Sequence, residues 1–169
     1  MVQSATPGTV MVGVDGSDGA LEAVRWATQE AGIRKASLKI VAAAPRGLQI
    51  AYGPMPANYF QEMADNARAD LANALDVAVS LAKHVDMDIK VSTELLSGEP
   101  VPELVAASRQ AELFVVGRHG QHRSAIATVG SVTWGIAGST YSPLAVVTDF
   151  PISKPSGVVA VGVDSSAYS

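Results

Sequence analysis

Leu113-Phe114-Val115-Val116-Gly117-Arg118-His119-Gly120, then nine residues, then Gly130-Ser131-Val132-Thr133-Trp134-Gly135-Ile136, is the stretch on which the reading of this chain turns. It opens on a continuous apolar run of strand length and closes on what reads as the first turns of a helix. A strand tip, a glycine-rich loop and a helix start therefore meet. Glycine lets a bulky anion approach the backbone, and the N–H groups and dipole of a helix N-terminus favour negative charge. The layout suits a phosphate group.

The same grammar recurs upstream. Val10 to Val14 is an apolar run ending at Asp15-Gly16-Ser17-Asp18, which supplies a turn and a helix cap at Ser17. Leu21, Val24, Ala27 and Ala31 then mark one helical stripe that stops near Gly32. Ser37 to Ala44 reads as the next strand, stopped by Pro45 and Gly47. Residues 45 to 56 are rich in Gly, Pro and Tyr and read as a loop that folds over a neighbouring site. Phe60, Met63, Ala67, Leu71, Leu75, Ala78 and Ala82 recur at helical spacing and predict one long helix over 58 to 84. A strand over 89 to 96, a helix over 101 to 110 opened by two prolines, and a last strand over 144 to 147 complete the order.

Alternation of this kind implies a mainly parallel α/β sheet with helices on both faces and right-handed crossovers. Ligands of such sheets bind beyond the carboxyl ends of the strands, where the strand order reverses. If the strands ending at Asp15 and Gly117 are neighbours at that point, the carboxylate and the glycine loop face one crevice. That is the central structural expectation.

Composition narrows the partners. A chain of 169 residues is of single-domain size and can bury a real core. Its net charge of −4 argues against sequence-independent nucleic-acid binding, which needs a basic face. Without cysteine there is neither a disulfide framework nor a thiolate metal site. No run approaches the roughly 20 apolar residues that span a bilayer, so no membrane partner is expected. The first residues lack the basic patch and apolar stretch of a secretory signal, and the expected location is cytoplasmic.

The tail carries a second clue. Gly157-Val158-Val159-Ala160-Val161-Gly162-Val163-Asp164-Ser165-Ser166 repeats Gly8 to Ser17 nearly position for position. Repetition at domain length suggests a tandem parent, with a domain over 8 to 149, a linker over 150 to 156 and the start of a second, truncated domain over 157 to 169. A chance likeness between two valine-rich strands is the plain alternative.

Val12-Gly13-Val14-Asp15-Gly16-Ser17, Val116-Gly117-Arg118-His119-Gly120 and Gly130-Ser131-Val132 together resemble the universal stress protein family, in its ATP-binding branch. The spacing Gly-x2-Gly-x9-Gly-Ser is met without insertion, and a match in two distant segments is more specific than a lone glycine motif. The resemblance implies a Rossmann-like or flavodoxin-like five-stranded sheet in order 3-2-1-4-5, and pairing of two such domains by self-association or by a tandem second domain. It also implies that Asp15 sits against the adenine or ribose and that Ala43 lines the adenine pocket. Gly117, Gly120, Gly130, Ser131 and Val132 would contact ribose and phosphates. Gly13, at the strand tip ahead of Asp15, belongs to the same candidate set. Arg118 and His119, with His122 and Arg123, are candidates for phosphate contacts against a purely solvated role, and His84 is expected to cap the long helix. Two departures stand out: Thr128-Val129 replaces residues that are often leucine in the family, and the alanines at 42 to 44 make a slim second-strand end.

Binding is not catalysis. Phosphate-transfer machinery pairs a Lys with Ser or Thr on a phosphate loop and adds carboxylates for Mg²⁺. No Gly-Lys-Ser or Gly-Lys-Thr occurs, and no lysine lies between Val91 and Lys154. Ser131, His119 and Asp15 make a triad only on paper. The leading reading is an ATP-binding, non-catalytic regulator. Slow ATP hydrolysis with Asp15 holding Mg²⁺, and a pairing scaffold with a decayed nucleotide site, are the alternatives.

Overall fold

The structure, a computed structural model, describes residues 8–45, 57–120, 129–148 and 159–161. The expected loop beyond Pro45, the segment holding His122 and Arg123, the linker and most of the repeated tail lie outside these residues, as does the side chain of Phe60.

Five strands, β1 (Thr9–Gly13), β2 (Ser37–Ala44), β3 (Val91–Ser97), β4 (Leu113–Gly117) and β5 (Leu144–Val147), form one parallel sheet in the order β3-β2-β1-β4-β5. The chain steps outward from β1 to β2 and β3, then returns to β1's other side for β4 and β5. The order therefore reverses between β1 and β4, whose register pairs Met11 with Phe114. The expectation that Asp15 and the glycine loop hang from neighbouring strands holds.

Helices cover both faces because alternate strand residues point opposite ways. Val10, Val12, Leu38, Ile40 and Val115 pack under α1 (Asp18–Arg34) and α2 (Ala57–Val85). Met11, Val41, Phe114 and Val116 pack under α3 (Pro100–Ala107) and α4 (Ser131–Ile136). Each large apolar side chain so buried contributes about 1.5–3 kcal/mol, and together they fix the strand tips from which the site hangs.

Local details depart from expectation for identifiable reasons. Helix α1 runs past Gly32 to Arg34, because Lys35 takes the left-handed conformation (φ 56°) and its N–H closes on Ala31 and Gly32 carbonyls. The end of α2 is tied off by Lys83 rather than His84: its Nζ donates to the Ile89 carbonyl at 2.6 Å and the Met87 carbonyl at 3.1 Å. Ile89 is thereby a buried anchor ahead of β3, which starts at Val91. Helix α3 ends at Ala107 and hands over to a 3₁₀ turn, Ser108–Gln110, where the Ser108 hydroxyl donates to Val105 O. Only the second half of the α2 stripe is core: Leu75, Ala78 and Ala82 are buried, whereas Ala67 is exposed and Met63 is 41% exposed.

Candidate functional site

Beyond the carboxyl ends of β1, β2 and β4 lies an open, mostly apolar cleft. Its near wall is the turn after β1. Gly16 there has φ 85°, which bends the chain so that the Asp15 carboxylate folds back on the turn. Asp15 Oδ1 accepts from the Ser17 amide at 3.0 Å and from the Ser17 hydroxyl at 2.6 Å. Ser17 Oγ in turn accepts from Ala20 N at 3.2 Å, capping α1 as its sequence position predicts. The hydroxyl has one proton and gives it to Asp15, so its 3.4 Å approach to His119 O is secondary.

The far wall is the loop after β4. A Cβ on Gly120 would fall on Asp15 Oδ2, so the loop glycine and the carboxylate are in direct contact across the cleft. A Cβ on Gly130 would lie 3.4 Å from Gly120 N and 3.3 Å from Arg118 O. The Gly130 amide donates to that same carbonyl at 2.8 Å, which closes the loop into a ring. Asp15, Gly120 and Gly130-Ser131 are thus gathered on one rim although about a hundred residues separate them in sequence. Helix α4 is pinned beneath by the buried Thr133 hydroxyl, which donates to Gly117 O at 2.8 Å. The amides of its first turn lack intrahelical acceptors, and Gly130 brings no side chain to cap them. With only six residues, α4 offers these amides rather than a long helix dipole.

Gly13, Asp15, Ala43, Gly117, His119, Gly120 and Val132 line the cleft. Arg118, Gly130 and Ser131 stand at the loop closure behind that lining, Arg118 through its amide on Val147 O at 2.8 Å as well as its carbonyl. Gly117 has a second reason to be glycine: a Cβ there would meet Gly19 O at 2.6 Å, and a Cβ on Gly19 would meet His119 O at 2.7 Å. These two glycines let the β4 loop sit directly on the first turn of α1. Sequence reasoning missed Gly19, and also the apolar lining by Val14, Ala20, Leu71, Pro100, Leu104 and Val116. Of these Val14 and Val116 carried a signal as ends of apolar strand runs, and Leu71 as part of the α2 stripe. The Asp15 carboxylate is engaged by Ser17 through Oδ1.

One pair of main-chain groups faces the cleft by register alone. In a parallel ladder a residue's N–H and C=O point to the same neighbour, alternating along the strand. Odd residues of β2 face β1: Ser37 N donates to Gly8 O at 3.0 Å, and Val41 O accepts from Val14 N at 2.8 Å. Even residues face β3, as with Leu38 N on Lys90 O and Gly98 N on Ala44 O, both 2.8 Å. The β1–β2 ladder ends at Gly13 opposite Val41. Ala43, next on that side, therefore presents a donor and an acceptor past the last rung, beside the cleft it lines.

A cleft at the strand-order reversal of a five-stranded 3-2-1-4-5 sheet, walled by two remote glycine turns, defines a doubly wound α/β protein with its crevice where such sheets bind their ligands. A family model for the universal stress protein family matches residues 7–148, and the chain belongs to that family. Universal stress protein Rv2028c of Mycobacterium tuberculosis is 31% identical over 170 residues, covering 99% of this chain and 58% of that protein. The chain thus spans little more than half the length of the curated relatives it matches. A universal stress protein in complex with cAMP is 29% identical, with a TM-score of 0.62 over 85% of this chain and 98% of that one. The universal stress protein of Archaeoglobus fulgidus in complex with dAMP shares the fold at 22% identity, with a TM-score of 0.58 over 84% of this chain and 98% of that one. A family protein of Arabidopsis thaliana with AMP bound does so at 19% identity, with a TM-score of 0.57 over 89% and 97% of the two chains.

Proposed function

We propose that this chain binds an adenine nucleotide, ATP among them, in the cleft at the β1–β4 reversal and uses it as a regulatory ligand in a stress response. The observation that carries the reading is the pair of unladdered groups on Ala43 facing an apolar slot. Adenine sets a ring-nitrogen acceptor beside an amino donor, which matches an adjacent N–H and C=O. Guanine reverses both positions. Asp15 would then take the ribose, and the amides of the Gly120 and Gly130-Ser131 turns the phosphates. ATP would bring Mg²⁺ on its own phosphate oxygens, Asp15 being the one carboxylate among the described lining residues.

Binding without turnover is the better reading, because Asp15 Oδ1 is committed to Ser17 and the sequence has no Lys-Ser or Lys-Thr phosphate loop. Regulation would act through pairing with a second copy or a tandem domain. The outer edge of β5 ends the described sheet, and Trp134 (75% exposed) and Val146 (42% exposed) stand at this end of the molecule. Titration with ATP, ADP, AMP, cAMP and GTP, with ADP formation followed over hours, tests the reading. Adenine nucleotides should bind at least about a hundredfold more tightly than GTP, without turnover. Equal affinity for GTP, or no binding of any adenine nucleotide, overturns it.

A further inference from the structure

The base end of the cleft is walled by Leu71 from α2 and by Pro100 at the start of α3, two elements that no strand pairing joins. Arg68, one helical turn before Leu71, spans them. Its terminal nitrogens donate to Ser97 Oγ at 2.8 and 3.3 Å. Ser97 ends β3, pairs with Ala44 beside Ala43, and stands three residues before Pro100.

Leu71 packs against the edge of the core one turn beyond this contact. Among its described side chains helix α2 first becomes buried at Ala74, and between Gln61 and Asp70 only Ala64 and Arg68 are even half-buried. Among the described residues, the Arg68–Ser97 bond is the hydrogen bond that ties this stretch of α2 to the sheet. It is also an unusual tie. Arg25 and Arg34 pair with carboxylates, whereas the half-buried Arg68 meets only a neutral hydroxyl among the described residues. The planar guanidinium offers two donors in fixed geometry, and both converge on one oxygen. That sets a distance between two walls more strictly than apolar contact does.

Resting on the nucleotide reading above, we propose that Arg68 is a positioning residue whose clasp on Ser97 sets the width of the base slot and so the preference for a purine over a pyrimidine. The test titrates the full chain and its variants with AMP, CMP and ribose 5-phosphate, with thermal unfolding recorded for each. Arg68→Met should lower AMP affinity about tenfold while ribose 5-phosphate stays within about twofold, so the AMP/CMP ratio narrows. Arg68→Lys, which keeps a donor within reach of Ser97, should restore most of that ratio. Ser97→Ala should reproduce the loss from the other side, and the double variant should add little to either single one. Equal losses for AMP and ribose 5-phosphate would assign Arg68 to the phosphates and overturn the clasp, as would an unchanged AMP/CMP ratio in Arg68→Met. A wild-type chain that binds no AMP fails the nucleotide reading instead, and it does so before any substitution is made.

Discussion

Gly120→Ala is the most direct probe of the site, because the added methyl would occupy the place of Asp15 Oδ2. Gly120 does not take the left-handed backbone, so alanine is conformationally allowed and the effect is local. The carboxylate must turn aside, and turning breaks its bonds from the Ser17 amide (3.0 Å) and hydroxyl (2.6 Å). Bonds of this charged kind are worth about 1.5–3 kcal/mol net. If the nucleoside uses Asp15 in the position seen here, that loss is roughly 10- to 150-fold in affinity. Stability should fall by less, about 1 kcal/mol, because Asp15 is only half-buried and water can replace its partners. Calorimetric titration with AMP and a thermal melt of the same sample separate the two quantities. A Gly120→Ala chain that binds AMP within about twofold of wild type would refute the assignment of Asp15 to the nucleoside.

Gly117→Ala presses a methyl onto the Gly19 carbonyl at 2.6 Å, which is buried main chain and cannot rotate away, so it should cost about 1–3 kcal/mol of stability. A melting temperature unchanged from wild type would show that the α1–β4 contact is looser than drawn. Gly130→Ala needs its neighbours to give only a few tenths of an ångström, and a small loss of affinity is expected, whereas Gly130→Asp should abolish binding while circular dichroism stays native. Thr133→Val strips the Gly117 carbonyl of its 2.8 Å partner and should destabilise by about 1 kcal/mol in denaturant titration. Trp134→Ser with Val146→Lys should shift any self-association toward monomer in analytical ultracentrifugation without changing AMP affinity, and retained dimer would move the pairing surface elsewhere.

The elements were legible because β1, β2 and β4 are largely apolar runs closed by turn residues, and because α2 repeats at helical spacing over many turns. Their ends were less so. Gly32 looked like a stop, yet Lys35 supplies the left-handed residue, a choice made by the closing hydrogen bonds rather than by residue type. The first half of the α2 stripe repeats as regularly as the second, yet Met63 and Ala67 are exposed, and periodicity cannot report how far the opposite surface extends. At the site, Asp15, Gly120 and Gly130 could be named in advance because charge and missing side chains are visible in one dimension. Gly19 could not, since its need for a bare Cα arises from the His119 carbonyl a hundred residues away.

The strand order itself generates the cleft. Because β1 stands between β2 and β4 while their connections leave on opposite faces, a crevice opens at its tip. The ladder to β2 stops at Val41 and leaves the next main-chain groups on that flank open to the cleft, whereas past the end of the β4 ladder at Val115 the Gly117 carbonyl is taken by the Thr133 hydroxyl. On the β2 side that exposure falls at Ala43, where a donor and an acceptor sit at fixed strand spacing. On the β4 side the cleft is bounded instead by a loop whose bare Gly120 and Gly130 keep methyl groups out of the way. A base edge and a phosphate make opposite demands, the first for a flat apolar slot with two directed bonds and the second for several converging amides. The two halves of this cleft supply them separately, and Asp15 stands where they join. Substitutions on the Ala43 side should therefore change which base is bound, whereas substitutions on the Gly120 side should change how tightly any base is held.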